Sequence, residues 1–207
     1  MSDQSQKRIY RKRRRAELEQ QTRLRITESA VELHGSVGPA RTSISAVAER
    51  AGVRRSTVYR HFSDEAALFA ACSTHWMAAH PPPDLAAWAE ITNPQERLRT
   101  ALTELYGYYR ATEPMLANLQ RDETTMAIVK QLFAGFRGYL SAACDTLTPG
   151  LVARGQARRR IEAAIGHSLA FPTWQSLARG QGLADHEAAD LMYRLAEAAA
   201  EPSRAAS

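Results

Sequence analysis

Residues 54–62 carry side chains that can bind a nucleic acid, at the spacing of one short helix. The polar members are Arg54, Arg55, Ser56, Thr57, Tyr59, Arg60 and His61. Val58 and Phe62 are four residues apart, which places both on the opposite, buried side of a helix. Guanidinium, hydroxyl and imidazole groups on one helix face can reach phosphates and base edges in the major groove of DNA. The stretch therefore predicts a helix that reads DNA.

A second short helix and a tight turn must hold that helix in place. Ser43 is a good helix N-cap, and Ile44 and Val47 would face inward from the helix that it starts. Ala48 is small enough to let the two helices cross closely. Gly52 then provides the turn, because glycine adopts positive φ at little cost. Residues 42–62 are thus predicted to form a helix-turn-helix.

This stretch resembles the DNA-binding domain of the tetracycline-repressor (TetR) family. The family pattern is T-T-hydrophobic, then A-x-x-A-G-V, then T-hydrophobic-Y-x-[HY]-F. Here it reads Thr42-Ser43-Ile44, then A-E-R-A-G-V over residues 48–53, then T-V-Y-R-H-F over residues 57–62. A preceding helix with Ile26 and Ala30 on its inner face is similar to the family's first helix. The resemblance therefore extends over residues 20–72.

The resemblance implies a role for each polar residue of the motif. It assigns a phosphate to Thr42 and Ser43, base edges to Arg55, Ser56 and Thr57, and the DNA backbone to Tyr59 and His61. Two positions depart from the family pattern. Arg54 stands where a small capping residue is usual, which weakens the helix start but adds a cation. Glu65 stands where the family often has a Lys that touches phosphate.

A block of positive charge precedes the motif. Seven of the nine residues 7–15 are Lys or Arg. Such a block repels itself, so we expect residues 1–15 to be a disordered arm that a polyanion orders. Its candidate DNA contacts are Arg11, Arg13 and Arg14, in the minor groove or along the phosphates. The arm would supply affinity that Glu65 does not.

Positive charge is also concentrated in the N-terminal part when the whole chain is considered. Residues 1–62 hold 14 Lys or Arg and 6 Asp or Glu, a net charge of +8, whereas the remainder holds 13 and 16, a net charge of −3. A basic N-terminal part beside a mildly acidic remainder is typical of nucleic-acid-binding proteins. The two cysteines are far apart, and neither a signal peptide nor a membrane span is indicated. We therefore expect a cytoplasmic protein.

Helical periodicity continues towards the C-terminus, and no segment alternates like a β-strand. We expect an all-α protein of about nine helices. The three-helix DNA-binding domain would cover residues 16–65, and a helical ligand-binding and dimerisation domain would cover residues 66–207.

Prolines and capping residues predict where the later helices begin and end. Asp64 and Asp185 are expected N-caps, and Asn93 followed by Pro94 is a strong helix start. Pro114 is expected to open a new short helix. Pro172 lies inside a predicted helix over residues 158–179 and should kink it near Ser168.

The resemblance implies a homodimer that forms through the last two helices, residues 158–179 and 185–200. The side chains that these helices offer are Ile161, Ile165, Leu169, Trp174, Leu191 and Leu195. The alternative is that these side chains close the core of a single chain. A two-fold dimer would read a palindromic operator, because each helix-turn-helix covers only one half-site.

The resemblance also implies a repressor that a small-molecule effector releases from DNA. Candidate residues for the effector pocket are Trp76, Leu102, Tyr106, Tyr109, Met115, Phe133, Phe136, His167 and Trp174. Most of them are apolar or aromatic, which favours an apolar or aromatic effector. Its binding would shift the population of conformations and change the separation of the two reading helices. No cofactor is expected.

Two other classes of function remain as alternatives. An enzyme is disfavoured, because the sequence has no phosphate-binding loop, dinucleotide fingerprint, zinc-protease motif or nucleophile elbow. Cys72, His75 and His80 suggest a metal site, but His80 falls off the helix face that the other two share. The remaining alternative is a non-specific nucleic-acid-binding or interaction protein that uses the basic arm. Sequence-specific binding to a DNA duplex would exclude it.

Overall fold

The computed structural model describes residues 2–151 and 155–200. Most of these residues are helical, and none of them lies in a β-strand. The helices are α1 Ser2–Ser36, α2 Ile44–Arg50, α3 Arg55–His61, α4 Glu65–Ala79, α5 Leu85–Glu90, α6 Pro94–Asp122, α7 Ala127–Leu147, α8 Gln156–Leu169, α9 Phe171–Gln175 and α10 Asp185–Ala200. A 3₁₀ turn, Pro39–Arg41, joins α1 to α2, and a π-helical turn, Ser176–Gly180, follows α9. The expected all-α fold is confirmed.

The described residues form two compact units. The N-terminal unit holds the residues up to Pro81 and also Pro114–Val129, and the C-terminal unit holds Pro82–Glu113 and the residues from Lys130 on. This division differs from the expected boundary between residues 65 and 66, because α4 belongs to the N-terminal unit. Leu68 and Cys72 of α4 share one buried cluster with Ile26 of α1. None of the described helices is long and apolar enough to cross a membrane.

Helices α1 to α4 pack around one small apolar core. Its buried members include Ile26, Ala30, Ile44, Val47, Ala48, Val58, Phe62 and Leu68. Gly52 makes the turn between α2 and α3 with a φ of +63°, as expected. Ser43 caps α2 by accepting a hydrogen bond from the Ala46 amide at 3.1 Å, and Asp64 caps α4 in the same way. The predicted helix-turn-helix is present, and the expected caps of α2 and α4 are both formed.

Helix α1 is longer than predicted, because it includes the basic residues that we expected to be disordered. It runs without interruption from Ser2 to Ser36. Ion pairs one helical turn apart join Arg13 to Glu17 and Arg15 to Glu19. Such pairs stabilise a helix modestly, and Arg, Lys and Gln are good helix formers. The local sequence therefore supports a helix where charge repulsion alone predicted disorder.

Helix α6 passes through Pro114, which we expected to begin a new helix. A proline inside a helix removes one backbone hydrogen bond and costs about 3 kcal/mol. Apolar side chains are buried on both sides of it, among them Leu105 and Tyr109 before it and Leu116 and Leu119 after it. Burying four such side chains stabilises the helix by more than the proline costs, at roughly 1.5–3 kcal/mol each.

Pro172 breaks the predicted helix over residues 158–179 instead of kinking it. Helix α8 ends at Leu169, Ala170 is extended, and α9 begins at Phe171. A proline cannot donate the amide hydrogen bond that would continue the ladder to Ser168. Two hydroxyl groups of α6 replace the missing donors. Those of Tyr106 and Tyr109 donate to the carbonyls of Ser168 and Leu169 at 2.9 and 2.5 Å.

Helix α10 is capped by a different residue from the one that the sequence predicted. Asp185 is its first residue, but its carboxylate accepts hydrogen bonds from the Arg110 guanidinium and, at 2.9 Å, from the Trp174 indole. These bonds hold the pKa of Asp185 below its usual value, with Arg110 as the larger cause. Glu187 takes the capping role, because its carboxylate accepts from the amide of Ala184.

Candidate nucleic-acid interface

Helix α3 presents its polar residues to solvent and its apolar residues to the core. Val58 and Phe62 are buried, whereas the exposed residues are Arg54, Arg55, Ser56, Tyr59 and Arg60. Thr57 is half-buried at the edge of the exposed side. Arg54 occupies the N-cap position and makes no side-chain capping bond, as the sequence predicted. The result is a helix with a firm apolar base and an outer face made of hydrogen-bonding groups.

Arg55 and Tyr59 form a pair on that outer face. The Arg55 guanidinium donates to the Tyr59 hydroxyl at 3.2 Å and lies 5.6 Å from the centre of its ring. Since the hydroxyl oxygen accepts this bond, the hydrogen of Tyr59 remains free to be donated to an outside acceptor such as a phosphate. Tyr59 is 41% exposed, so such an acceptor can reach its hydroxyl group.

Thr42 and Ser43 differ in what their hydroxyl groups can offer to DNA. The Thr42 hydroxyl donates to the Gly38 carbonyl at 2.9 Å, and the Thr42 amide donates to Pro39. Both of its donors are therefore used within the protein. The Ser43 oxygen accepts from the Ala46 amide, which leaves its own hydrogen free. Of the two expected phosphate contacts, Ser43 is the one with a free donor.

His61 closes α3 on the side that faces α1. Its Nε2 is buried and has no hydrogen-bond partner among the described residues. Burial, and then the nearby charges of Arg60 and Arg23, lower the pKa of His61. Its imidazole is therefore neutral at neutral pH, and only Nδ1 is left for the expected contact with the DNA backbone.

Arg23 of α1 is a residue of the interface that sequence reasoning missed. Its guanidinium donates to the carbonyl of His61, the last residue of α3, and lies 4.1 Å from the centre of the Phe62 ring. A cation at a helix C-terminus interacts favourably with the helix dipole. Arg23 therefore fixes the end of α3. The sequence around it, T-R-L-R-I over residues 22–26, gives no signal for this role.

The basic residues of α1 lie mostly on one side of the helix. Since successive residues turn by about 100°, one sector of about 160° contains Lys7, Arg8, Arg11, Lys12, Arg14 and Arg15. We call this sector the basic face of α1. Arg13 points to the other side, with Ile9 and Tyr10, and is paired with Glu17. The expected contacts Arg11 and Arg14 thus share a face that Arg13 does not.

Glu65 stands at the first position of α4 and is exposed there. A carboxylate in the first turn of a helix is favourable, because it faces the positive end of the helix dipole. Glu65 therefore stabilises the start of α4 where the family often has a cation that touches phosphate.

Residues 26–72 match the family model described as bacterial regulatory proteins, tetR family. This segment contains α2, α3 and the apolar core beneath them. This segment is therefore a DNA-binding domain of the tetR type. The protein is a DNA-binding transcriptional regulator.

Solved structures of several transcriptional regulators share the fold of this chain. A TetR-like transcriptional regulator from Rhodococcus sp. RHA1 is 22% identical, with 84% of this chain and 93% of that chain covered and a TM-score of 0.63. The regulator FadR from Bacillus subtilis, solved in complex with stearoyl-CoA, is 17% identical, with 86% and 97% covered and a TM-score of 0.58. A TetR regulator from Haloarcula marismortui is 15% identical, with 87% and 97% covered and a TM-score of 0.53. No curated protein matches the sequence.

The candidate effector residues are only partly brought together. Tyr109 is the centre of an aromatic cluster in the C-terminal unit, and its ring contacts those of Tyr106, Tyr108, Phe136, Phe171 and Trp174. Phe133 packs against Phe136, and Leu102 is fully buried in the same unit. Trp76 and Met115 belong to the N-terminal unit. His167 is exposed on α8, so it does not line a pocket within the C-terminal unit.

The candidate dimer residues divide into buried and exposed sets. Ile161, Ile165, Leu169 and Trp174 are buried in the C-terminal unit, so they close the core of the single chain, as the alternative held. Leu191 and Leu195 of α10 are 44% and 46% exposed. Ala163 and Gly166 are exposed small residues of α8, which packs against α10. An apolar and small-residue surface therefore remains open on these two helices.

Two of the three residues of the suggested metal site, Cys72 and His80, have other partners. The Cys72 thiol is buried and donates to the Thr27 carbonyl at 3.6 Å, and burial raises its pKa to about 12. A thiol of this kind stays protonated and is a poor metal ligand. The His80 ring stacks on that of Trp76 with ring centres 4.9 Å apart, just beyond the end of α4.

Proposed function

We propose that this regulator is a dimeric repressor that binds a palindromic operator and leaves it when a small molecule binds. The observation that carries the proposal is the outer face of α3, where hydrogen-bonding side chains stand on a buried apolar base. A helix of this kind inserts into the major groove and reads base edges. Arg55, Ser56 and Thr57 are the proposed base-reading residues.

Contacts to the DNA backbone would orient α3 in the groove. The proposed donors are the hydroxyl groups of Ser43 and Tyr59, together with Nδ1 of His61 and the cation of Arg54. Phosphate contacts position a protein on DNA without reading sequence. Arg11 and Arg14 would extend these contacts from the basic face of α1, and they increase affinity in a manner that depends on salt.

Two copies of the chain would pair through α8 and α10. Leu191 and Leu195 supply apolar area, and Ala163 and Gly166 allow close approach of helices. Exposed apolar residues on one face are typical of subunit interfaces. Two-fold symmetry would place one α3 in each half of a palindrome.

The effector proposed for this chain is apolar or aromatic. FadR of Bacillus subtilis, which shares the fold, binds stearoyl-CoA. In this chain the buried aromatic cluster around Tyr109 supplies the apolar side chains that such a ligand requires. A small molecule that binds here would favour a conformation with weaker DNA affinity.

DNA-binding proteins of this kind act where the genome is, so we propose a cytoplasmic location.

Selection of bound duplexes from a random library tests the proposal. We expect enrichment of a palindrome, with a protected footprint that spans two half-sites. Two variants of Ser43 then test the contact with phosphate. Ser43→Asp keeps the helix cap but sets a carboxylate against the phosphate, so operator affinity should fall at least about 10-fold. Ser43→Asn keeps both the cap and a donor, and should bind within about 3-fold of the native protein.

Non-specific nucleic-acid binding by the basic face of α1 is the alternative that the same experiment addresses. It predicts no enriched sequence, equal affinity for all duplexes and a binding constant governed by salt alone. Equal binding by Ser43→Asp and the native protein would contradict the proposed use of the helix-turn-helix.

A further inference from the structure

The C-terminal end of α1 has carbonyl groups that the helix itself does not satisfy. In any helix the last four carbonyls lack amide partners. Here the amides of Val37 and Gly38 both donate to Leu33, at 2.9 and 3.2 Å. The carbonyls of His34, Gly35 and Val37, which follow Leu33, need other donors.

Side chains near the end of α6 supply those donors. Nδ2 of Asn118 donates to the carbonyls of His34 and Gly35, at 3.0 and 2.8 Å. Arg121 donates from Nη2 to the carbonyl of Val37 at 2.9 Å, and from Nη1 to Oδ1 of Asn118 at 2.8 Å. The end of α1 is thus capped by residues more than 80 positions later in the chain.

Asp122 binds the segment between α1 and α2. Its buried carboxylate accepts from the Ala40 amide at 2.9 Å and from Nε of Arg121 at 2.8 Å. Burial by itself would raise the pKa of Asp122, but these hydrogen bonds and the charge of Arg121 bring it below the usual value. The carboxylate is therefore charged, and charged acceptors make the stronger hydrogen bonds.

Gly38 shows how tightly the turn is fitted to these side chains. Its φ of +94° and ψ of 156° are suited to glycine alone. A Cβ at this position would lie 2.0 Å from Nη2 of Arg121 and 2.6 Å from Oδ2 of Asp122. The Gly38 carbonyl in turn accepts the hydroxyl of Thr42, the residue before Ser43. The position of Ser43 follows from this chain of bonds.

We propose that Asn118, Arg121 and Asp122 are positioning residues for DNA binding. They touch no DNA themselves. They fix the path of the chain from the end of α1 to Ser43, and so set where the Ser43 hydroxyl and the start of α2 meet the phosphate. The inference rests on the proposed function, because it assumes that Ser43 contacts DNA.

The test uses the full-length protein and the operator selected above. Asn118→Asp keeps the size of the side chain and the bond with Arg121, but it replaces two donors with acceptors that repel the carbonyls of α1. We expect its operator affinity to fall about 10-fold, as for one unpaired buried polar group. Gln120→Ala is the control, since Gln120 is on the same turn of α6 and is half-buried. Its affinity should remain within about 2-fold of the native value.

A double-variant cycle with Ser43→Asp separates positioning from general damage. If Asn118 acts through Ser43, adding Asn118→Asp to Ser43→Asp should cost less than about 3-fold more. A full 10-fold further loss would overturn the proposal, because the two residues would then act independently. Asp122→Asn, which keeps its shape and one acceptor, repeats the cycle should Asn118→Asp fail to fold.

The two proposals fail in different ways. If Ser43→Asp binds the operator like the native protein, the proposed phosphate contact fails, and the positioning role through Ser43 fails with it. If Ser43→Asp weakens binding but Asn118→Asp and Asp122→Asn do not, the proposed function stands and only the positioning role is overturned.

Discussion

Thr42 and Ser43 carry the same functional group, yet their hydroxyl hydrogens have different uses. The hydrogen of Thr42 goes to Gly38, whereas that of Ser43 remains free because its oxygen is the acceptor for α2. The motif alone treats the two residues alike. The difference depends on the turn after α1, whose shape is set by Asn118, Arg121 and Asp122. Local sequence contains no signal for contacts of this kind.

A pH-dependent loss of stability is expected from His34. Burial lowers the pKa of its imidazole to about 4, although the charge of Asp122 opposes the shift. An unfolded histidine has a pKa of about 6.5. The unfolded state therefore binds more protons between these values, and stability should decrease as the pH falls from 6.5 to 4, by about 3 kcal/mol in total. Below pH 4 this contribution no longer changes.

Urea unfolding of the native protein and of His34→Gln, at several pH values, checks this expectation. The free energy of unfolding of the native protein should fall relative to that of the variant between pH 6.5 and 4. Parallel pH profiles for the two proteins would contradict the assignment of this effect to His34.

The helices of the DNA-binding motif could be predicted because their signals are local. The spacing of Ile44, Val47 and Val58, the caps at Ser43 and Asp64 and the turn at Gly52 all lie within a short stretch. The effect of each proline depends on the side chains that pack around it. Pro114 is tolerated because burial outweighs its cost, and Pro172 breaks a helix because Tyr106 and Tyr109 can satisfy the carbonyls that it leaves. For Pro172 the deciding side chains lie far away in the sequence, on α6.

The basic face of α1 leads to a prediction about salt. Each phosphate contact changes the slope of log K against log [salt] by about 0.9. If Arg11 and Arg14 each contact one phosphate in both subunits of the proposed dimer, changing both to Gln removes four contacts, and the slope should be smaller by about 3.6. Arg13→Gln is the matched control, because Arg13 lies on the other side of the helix and should leave the slope unchanged. Equal slopes for all three proteins would mean that the face does not touch DNA.

The break between α8 and α9 leads to a prediction about stability. Tyr106→Phe and Tyr109→Phe each leave one carbonyl of α8 without its donor. An unpaired buried carbonyl costs about 1–3 kcal/mol, so each variant should be less stable by that amount in urea unfolding. Tyr10→Phe is the control, because Tyr10 is exposed and the loss of its hydroxyl leaves no buried carbonyl without a donor. Native-like stability of both core variants would show that the two hydroxyl groups do not support the break.

Whole-molecule organisation was the least predictable level. The sequence placed a domain boundary at residue 65 from the end of the motif, whereas the compact unit continues through α4 and takes in Pro114–Val129. Apolar periodicity identifies which face of a helix is buried, but it does not say which partner covers that face. For the same reason Ile161 and Leu191 looked equivalent in the sequence, although one is buried and the other is exposed.

The exposed residues of α10 predict the assembly state. Changing both Leu191 and Leu195 to Glu would place four carboxylates in the proposed interface, where unpaired charge is strongly unfavourable. Sedimentation equilibrium should then report a monomer, and the operator footprint should shrink to a half-site or vanish. Met77→Glu is the control, because Met77 is similarly exposed on α4. A dimer that survives the double change would place the interface elsewhere.

The division of the N-terminal unit between two chain segments has a consequence during synthesis. Its second segment ends at Val129, 48 residues after Pro81. At about 5–20 residues per second, a ribosome needs roughly 2–10 s to make that stretch. Because residues leave the ribosome in the order in which they are made, α1 to α4 emerge several seconds before Asn118, Arg121 and Asp122. The nascent unit therefore waits with the end of α1 uncapped, and it acquires its final turn only when the later segment arrives.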